Sequence, residues 1–187
     1  MSHPSSSSEA RYSGIAIALH WVLALAILGA FAVGVYLDDL PFSPAKLKLI
    51  NWHKWAGVTI LFLSVARLAW RLTHRPPALP ARIEQGMPGW QRAAHHGTHH
   101  LMYLLFFAVP LLGWAYSSAK GFPIVWFGVL PLPDLLPVNK ELADQIKPLH
   151  ALAAWGLIGL VALHVGAALK HQFIDRDGLL DRMRPGR

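Results

Sequence analysis

Two histidines lie inside a long apolar stretch of this chain. His150 and His164 are fourteen residues apart, and no charged side chain occurs between Pro148 and Leu169. In an α-helix, fourteen residues return to nearly the same face after a rise of roughly 21 Å. An imidazole in an apolar setting needs a partner, which is either a hydrogen-bonding group or a metal. The spacing therefore suits two imidazoles that act at two different depths of one helix.

Two interpretations of these histidines remain open from this helix alone. In the first, both are interfacial side chains that bond backbone carbonyls or lipid headgroups. In the second, each is one axial ligand of a haem, and two haems are stacked across a membrane. Small and apolar residues follow the same face and leave room for a flat group: Ala153, Ala154, Leu157 and Val161.

Four segments of the chain are long and apolar enough to cross a bilayer, which requires about 20 residues. The predicted spans are residues 13–37, 50–72, 95–116 and 148–172. The second span contains Lys54 and Arg67, each close enough to one end to reach the interface. Of the 187 residues, 54% are hydrophobic and only 14% are charged. The sequence therefore predicts an all-α, integral membrane four-helix bundle.

The predicted bundle occupies residues 13–172, with tails at residues 1–12 and 173–187. The longest connection, residues 117–147, is predicted to cover the membrane surface as a lid. Within it, residues 138–147 are predicted to form a short amphipathic helix. There is no room for a second domain.

The positive charges are divided between the two sides of the predicted membrane. All ten arginines precede span 1, lie near the connection between spans 2 and 3, or follow span 4, and Lys170, at the end of span 4, is counted with them. The other six lysines fall on the opposite side. The positive-inside rule then predicts that both termini are cytoplasmic. The net charge of +7 is thus explained by membrane topology and not by binding to nucleic acid.

The chain contains no cysteine. This excludes iron–sulfur clusters, structural disulfides and the covalent attachment of c-type haem. Any haem must be held by coordination and packing alone, as b-type haem is.

Depth in the membrane gives each histidine of span 4 a partner on another helix. Adjacent spans run in opposite directions, so His53 lies near the outer end, as His150 does. His20 lies about two turns from the inner end, as His164 does. Since haem needs axial imidazoles on opposite faces, the sequence predicts two haems ligated by His20 with His164 and by His53 with His150.

Three further side chains are candidates for contacts with haem propionates or a quinone headgroup. Arg67 is deep enough to need a buried anion, although an arginine that reaches the interface explains it equally. His99 belongs to a cluster at residues 95–100, which suits a solvated helix start, a contact with the inner cofactor, or a replacement of His20 as ligand. His171 shares a face with His164 or is simply an exposed residue at a helix end. A metal or proton transporter is disfavoured because the spans lack carboxylates.

The sequence resembles the bacterial cytochrome b561 family of four-helix di-haem proteins, and within it the small superoxide oxidase type. The resemblance covers nearly the whole chain. Its matching residues are Tyr12, Ser13, Ile17, His20 and Trp21; Ile50, Asn51, His53 and Gly57; Val65, Arg67, Leu68, Arg71 and Leu72; His96, His99, Tyr103, Leu104, Leu105 and Phe106; Trp126, Phe127 and Gly128; and His150, Leu163, His164, Ala167, Ala168 and His171.

The resemblance implies a function in electron transfer at the bacterial inner membrane. It implies two non-covalent b haems, with the family's ligand positions falling on the four histidines already paired by depth. It also implies a quinone-linked oxidoreductase that passes electrons from a periplasmic reductant, superoxide in this type, to ubiquinone. Some members with the same ligands are instead cytochrome subunits that relay electrons for a separate periplasmic dehydrogenase or other redox protein, and this alternative stays open.

Overall fold

The computed structural model describes residues 11–80, 83, 86 and 88–186, with only the backbone described for residues 90, 91 and 94–96. Its helices are α1 (Gly14–Asp39), α2 (Pro44–Thr73), α3 (Gly89–Ala119) and α4 (Lys140–Lys170). A π-helical turn (His171–Asp175) continues α4, and a 3₁₀ turn follows (Leu180–Met183). Between α3 and α4, a short antiparallel hairpin pairs β1 (Val125–Trp126) with β2 (Leu130–Pro131).

Each of the four long helices is apolar and long enough to cross a membrane. The prediction of an all-α membrane bundle is thereby confirmed. Residues 1–10 of the predicted amino-terminal tail lie outside the described residues. The end of the bundle that carries residues 40–43 and 120–139 is termed the outer end, after the orientation that the charges predict, and the opposite end is the inner end.

Side-chain caps fix where the first two helices begin. The Ser13 hydroxyl accepts a hydrogen bond from the Ala16 amide at 3.3 Å, and Ser43 does the same for Lys46 at 3.2 Å. Pro44 at the first helical position suits a helix start because its missing N–H would have no partner there. Helix α2 therefore begins six residues before the predicted span, outside the apolar segment.

Helix α4 also begins earlier than its predicted span. The Asn139 side chain accepts from the Leu142 amide at 3.0 Å, so the helix starts at Lys140 and Pro148 lies within it. Residues 140–147 of the predicted short amphipathic helix are indeed helical, but they form the first turns of α4 and not a short helix of their own. The proline removes one main-chain hydrogen bond, to the carbonyl of Asp144, and the helix continues through it.

The helices pack in chain order, with α1 against α2, α2 against α3, and α3 against α4. The backbones of α1 and α4 approach each other less closely than these three neighbouring pairs. Across this seam, the rings of Phe31 and Trp155 make an edge-to-face contact with centres 4.8 Å apart. All four helices contribute to one buried apolar core, which consists of Leu23, Ile27, Ile60, Met102, Phe106 and Leu157.

The outer connection is fixed to α2 by side chains of that helix. The Trp55 indole donates to the Val125 carbonyl at 2.6 Å. The Trp126 indole, in turn, donates to the hydroxyl of Thr59 at 3.2 Å. Lys54 donates to the carbonyl of Phe122 at 3.1 Å. The hairpin thus lies against the outer half of α2.

The region after α4 folds back onto the inner end of the bundle. Arg182 is only 4% exposed and donates to the Ala78 carbonyl at 2.9 Å. The Trp21 indole donates to the Met183 carbonyl at 2.9 Å. The part of residues 173–187 that the structure describes is therefore packed against α1 and the connection after α2.

A buried hydroxyl on α2 gives a first prediction about stability. Ser64 is fully buried, and its hydroxyl has no hydrogen-bond partner among the described residues. Because an unsatisfied buried group is costly, we expect Ser64→Ala to raise the free energy of unfolding by roughly 1 kcal/mol. Thermal or denaturant unfolding of the purified protein in detergent measures this change.

Ser118 provides the matched control. It is also fully buried, but its hydroxyl donates to Trp114 and accepts from Leu135, both at 3.1 Å. Ser118→Ala is expected to lower the free energy of unfolding by about 1 kcal/mol or more. An equal loss in both variants would contradict the prediction and would mean that the Ser64 hydroxyl has a partner in the folded protein.

Candidate functional site

The outer level of the bundle contains the first predicted histidine pair. The ring centres of His53 on α2 and His150 on α4 are 6.1 Å apart, with ring planes at 88°. Nδ1 of His53 lies 3.0 Å from the Ala30 carbonyl of α1. Nδ1 of His150 lies 3.0 Å from the Val109 carbonyl of α3. Since a carbonyl oxygen can only accept, both Nδ1 atoms donate, and each Nε2 keeps its lone pair for a metal.

The inner level contains the second predicted pair. The ring centres of His20 on α1 and His164 on α4 are 6.2 Å apart, with planes at 66°. No hydrogen bond to either ring is made within the part of the chain that the structure describes. A third imidazole, that of His99 on α3, lies 5.4 Å from His164 with its plane at 89°. Both predicted pairs are thus brought together, and His99 lies beside the inner one.

Ring spacing tests whether either pair suits an axially ligated metal. Two imidazoles on opposite sides of one metal, each with a metal–nitrogen bond of about 2 Å, have ring centres about 6 Å apart. The predicted pairs match this distance, whereas the distance from His99 to His164 is shorter. The geometry therefore favours His20 over His99 as the partner of His164.

A cavity lies between the two outer imidazoles. Part of this cavity is open at the surface. Apart from the two imidazoles, its walls are apolar, as a flat hydrophobic macrocycle requires. The residues present therefore fit a haem held by two histidines. All four helices line the cavity, through Ile27, Ala30, Phe31, Gly57, Ile60, Leu105, Phe106, Val109, Pro110, Ala154, Leu157 and Ile158.

Arg67 has a partner on the neighbouring helix. Its Nε donates to the Tyr103 hydroxyl on α3 at 3.2 Å. The guanidinium carbons of Arg67 and Arg71 lie 5.9 Å and 5.7 Å from the centre of the Tyr103 ring. Two positive charges therefore surround one phenol on the inner half of α2 and α3, which is an arrangement that attracts an anion.

His171 is held by carboxylates at the inner end. Its side chain is 13% exposed, so it is not an exposed residue at a helix end. Its Nδ1 lies 2.5 Å from a carboxylate oxygen of Asp177 and 3.2 Å from one of Asp175. Lys170 pairs with Asp175 at 2.6 Å. Of the cluster at residues 95–100, the side chains of His95 and His96 lie outside the described residues.

Some residues of this site cannot be recognised from their residue type. The carbonyls of Ala30 and Val109 orient the outer imidazoles, and a backbone group has no signature in its residue type. The only available signal is a glycine four residues after each carbonyl, at Gly34 and Gly113. Tyr103 was likewise not predicted as the partner of Arg67.

Comparison with known proteins gives a consistent result. The family model described as prokaryotic cytochrome b561 matches residues 11–186. The chain is 36% identical over 175 residues to cytochrome b561 homolog 2 of Escherichia coli (strain K12), covering 92% of this chain and 90% of that protein. It is 33% identical over 180 residues to cytochrome b561 homolog 1 of the same organism, covering 95% and 98%.

A third relative carries a more specific name. The chain is 31% identical over 179 residues to the probable superoxide oxidase CybB of Yersinia pestis, covering 94% of this chain and 96% of that protein. The family match and the four helices that can cross a membrane fit a bacterial inner-membrane protein. The chain belongs to the prokaryotic cytochrome b561 family, whose members are membrane-embedded helical bundles that bind b-type haem and transfer electrons.

Proposed function

We propose that the protein holds two b haems, one at each level, and transfers electrons from a periplasmic reductant to ubiquinone. His53 and His150 ligate the outer haem, and His20 and His164 ligate the inner one. The observation that carries this proposal is the pair of matching ring spacings, 6.1 Å and 6.2 Å, at two levels of one bundle. The levels are fourteen residues, or roughly 21 Å, apart along α4.

The chain orients the haem ligands and excludes water from the outer site. At the outer level, the carbonyls of Ala30 and Val109 fix the tautomer of both imidazoles, so that each Nε2 keeps its lone pair for the metal. The apolar walls keep water away from this site, and a bound haem supplies reversible one-electron chemistry there. Ligands that are already oriented need little rearrangement when the cofactor binds.

The inner level differs in charge from the outer level. Arg67, Arg71 and Tyr103 form a cationic group there, and His99 lies against His164. We assign Arg67 and His99 to contacts with a haem propionate or a quinone headgroup. A guanidinium bonds a carboxylate in a two-pronged geometry, which suits a propionate. His171 is assigned to the same contacts, with its Nδ1 held by Asp177.

Superoxide and ubiquinone are the proposed electron donor and acceptor. Two superoxide ions each lose one electron and become oxygen, while one ubiquinone gains two electrons and two protons to become ubiquinol. Lys54, adjacent in sequence to His53, contributes a positive charge near the outer level and would attract an anion. The similarity to the probable superoxide oxidase CybB supports this donor.

A spectroscopic and kinetic experiment tests the proposal. Protein purified from haem-replete cells is expected to show the reduced spectrum of low-spin, bis-histidine b haem, with two haems per chain. Superoxide generated in solution is then expected to reduce both haems, and added ubiquinone to restore the oxidised spectrum with formation of ubiquinol. Absence of the low-spin spectrum would contradict bis-histidine ligation.

The same experiment separates the enzyme from a cytochrome subunit that relays electrons for a separate periplasmic dehydrogenase or other redox protein. The exposed apolar side chains of the outer connections, Phe42 at 82% and Val129 at 83%, are compatible with a surface that docks on such a partner. Normal haem spectra without any reduction by superoxide would favour the relay subunit and contradict superoxide oxidation. Reduction by superoxide with turnover on quinone would exclude the need for a partner.

A further inference from the structure

The outer imidazole of α2 rests on one short backbone segment of α1. His53 donates from Nδ1 to the Ala30 carbonyl. Four residues later, where the next turn of the helix covers that carbonyl, the chain has Gly34. A Cβ atom at this position would lie only 3.1 Å from Cε1 of His53. The ring thus occupies the space that any other side chain would fill.

The outer imidazole of α4 rests on α3 in the same way. His150 donates from Nδ1 to the Val109 carbonyl, and a Cβ at Gly113 would lie 3.1 Å from Cε1 of His150. Val109 and Gly113 on α3 are each numbered 79 higher than the corresponding residues on α1, Ala30 and Gly34. His150 is numbered 97 higher than His53. The outer imidazoles are therefore held in the same way in both helix pairs, α1 with α2 and α3 with α4. In each pair, a carbonyl accepts from the imidazole and a glycine follows four residues later.

The buried core follows the same numbering. Its six residues form three pairs, and each pair repeats one of the two differences in residue number found at the outer level: Leu23 with Met102, Ile27 with Phe106, and Ile60 with Leu157. The first two pairs differ by 79 and the third by 97. The sequence hides this relation because the side chains of each pair differ, whereas their positions in the bundle correspond.

The relation continues to the inner level, where the chemistry of the two copies differs. His20 corresponds to His99, and Arg67 corresponds to His164. The four positions hold three imidazoles and one guanidinium, so the inner level cannot be symmetric. This explains why a third imidazole lies beside the inner pair.

We propose that the chain consists of two copies of a two-helix unit, and that Gly34 and Gly113 are equivalent positioning residues for the outer axial ligands. In each copy, the glycine of the first helix lets the imidazole of the second reach the carbonyl four residues earlier. The proposal rests on the proposed ligation by His53 and His150. Glycine within a helix lowers helix stability by about 1 kcal/mol relative to alanine. The close approach of an imidazole to the backbone explains why glycine is nevertheless present at both positions.

Substitution of each glycine by alanine tests this role. The added methyl group at 3.1 Å is inside the usual carbon contact distance of about 3.5–4.0 Å, so the ring must shift by a few tenths of an ångström against its carbonyl partner. We expect Gly34→Ala and Gly113→Ala each to weaken outer haem binding by about tenfold or more, as loss of outer-shell partners of metal ligands commonly does. Both variants should shift the electron paramagnetic resonance signal and the midpoint potential of the outer haem in the same direction.

Gly29→Ala and Gly156→Ala are the matched controls. Both glycines lie in the spans, and a Cβ at either one would meet no atom within 4 Å. The controls are expected to leave the signals of both haems unchanged. All four variants should leave the inner haem signal unchanged, which a general loss of stability would not do. A shift in only one of the two test variants, or in neither, would overturn the proposal.

A measurement on the unsubstituted protein keeps the proposal testable if the alanine variants do not fold. Electron–nuclear double resonance after transfer into D₂O is expected to find Nδ1 protons on both outer ligands that resist exchange. Rapid exchange of either proton would overturn the proposed device. Failure of ligation itself is recognised separately, because His53→Ala would then retain the outer haem.

Discussion

Replacement of His53 by alanine is expected to remove the outer haem and leave the inner one in place. The substitution deletes one of two imidazoles whose ring centres are 6.1 Å apart, and the remaining ligand, His150, cannot hold a low-spin haem alone. The haem-to-protein ratio of the purified variant should therefore fall by half. Quinone reduction driven by superoxide should fall to background, because the outer haem is the proposed entry point for electrons.

His74→Ala is the control for this experiment. His74 follows α2 directly, and its ring stacks on Trp70 with ring centres 3.6 Å apart. The control should retain both haems and normal turnover. Retention of two low-spin haems in His53→Ala would contradict the assigned ligand.

Replacement of His20 is expected to remove the inner haem, whereas replacement of His99 is not. The prediction follows from the distances to His164, which are 6.2 Å from His20 and 5.4 Å from His99. Only the longer distance accommodates a metal between two imidazoles. A redox-monitored spectrum of His20→Ala should show the outer haem alone. His99→Ala should keep both haems, with a shifted inner midpoint potential because a contacting imidazole is lost.

The double variant makes this prediction decisive. If the inner haem survives in His20→Ala and disappears only when His99 is also replaced, His99 is able to ligate the inner haem when His20 is absent. That result would contradict His20 as an indispensable ligand. It would agree with the proposal that His20 and His99 occupy equivalent positions in the two copies of the two-helix unit.

Much of the fold could be predicted because lipid imposes simple rules on the sequence. Apolar segments of about 20 residues identify spans without reference to packing. The start of α4 was missed because a capping asparagine and eight polar and apolar residues before Pro148 look like a separate surface helix. The proline suggested a boundary, although within a helix it removes only one main-chain hydrogen bond. The hairpin between α3 and α4 was not predicted because its strands have two residues each.

The histidine pairs could be predicted from depth because alternating spans convert sequence position into height in the membrane. Depth alone did not separate His20 from His99, since both lie near the inner end. Ring distances favour His20, and these distances depend on how the helices rotate and pack. The role of the Ala30 and Val109 carbonyls could not be predicted from the sequence for a related reason. Any residue type can present a carbonyl, so only the packed helices reveal which carbonyl meets a ring.

The seam between α1 and α4 has a consequence for how the cofactors enter. Its backbones stand further apart than those of the other neighbouring helices, and rings such as those of Phe31 and Trp155 bridge it. Side chains rotate within nanoseconds, whereas opening a packed helix pair takes far longer. We therefore expect a flat macrocycle dissolved in the surrounding lipid to enter between α1 and α4, with every helical turn left intact.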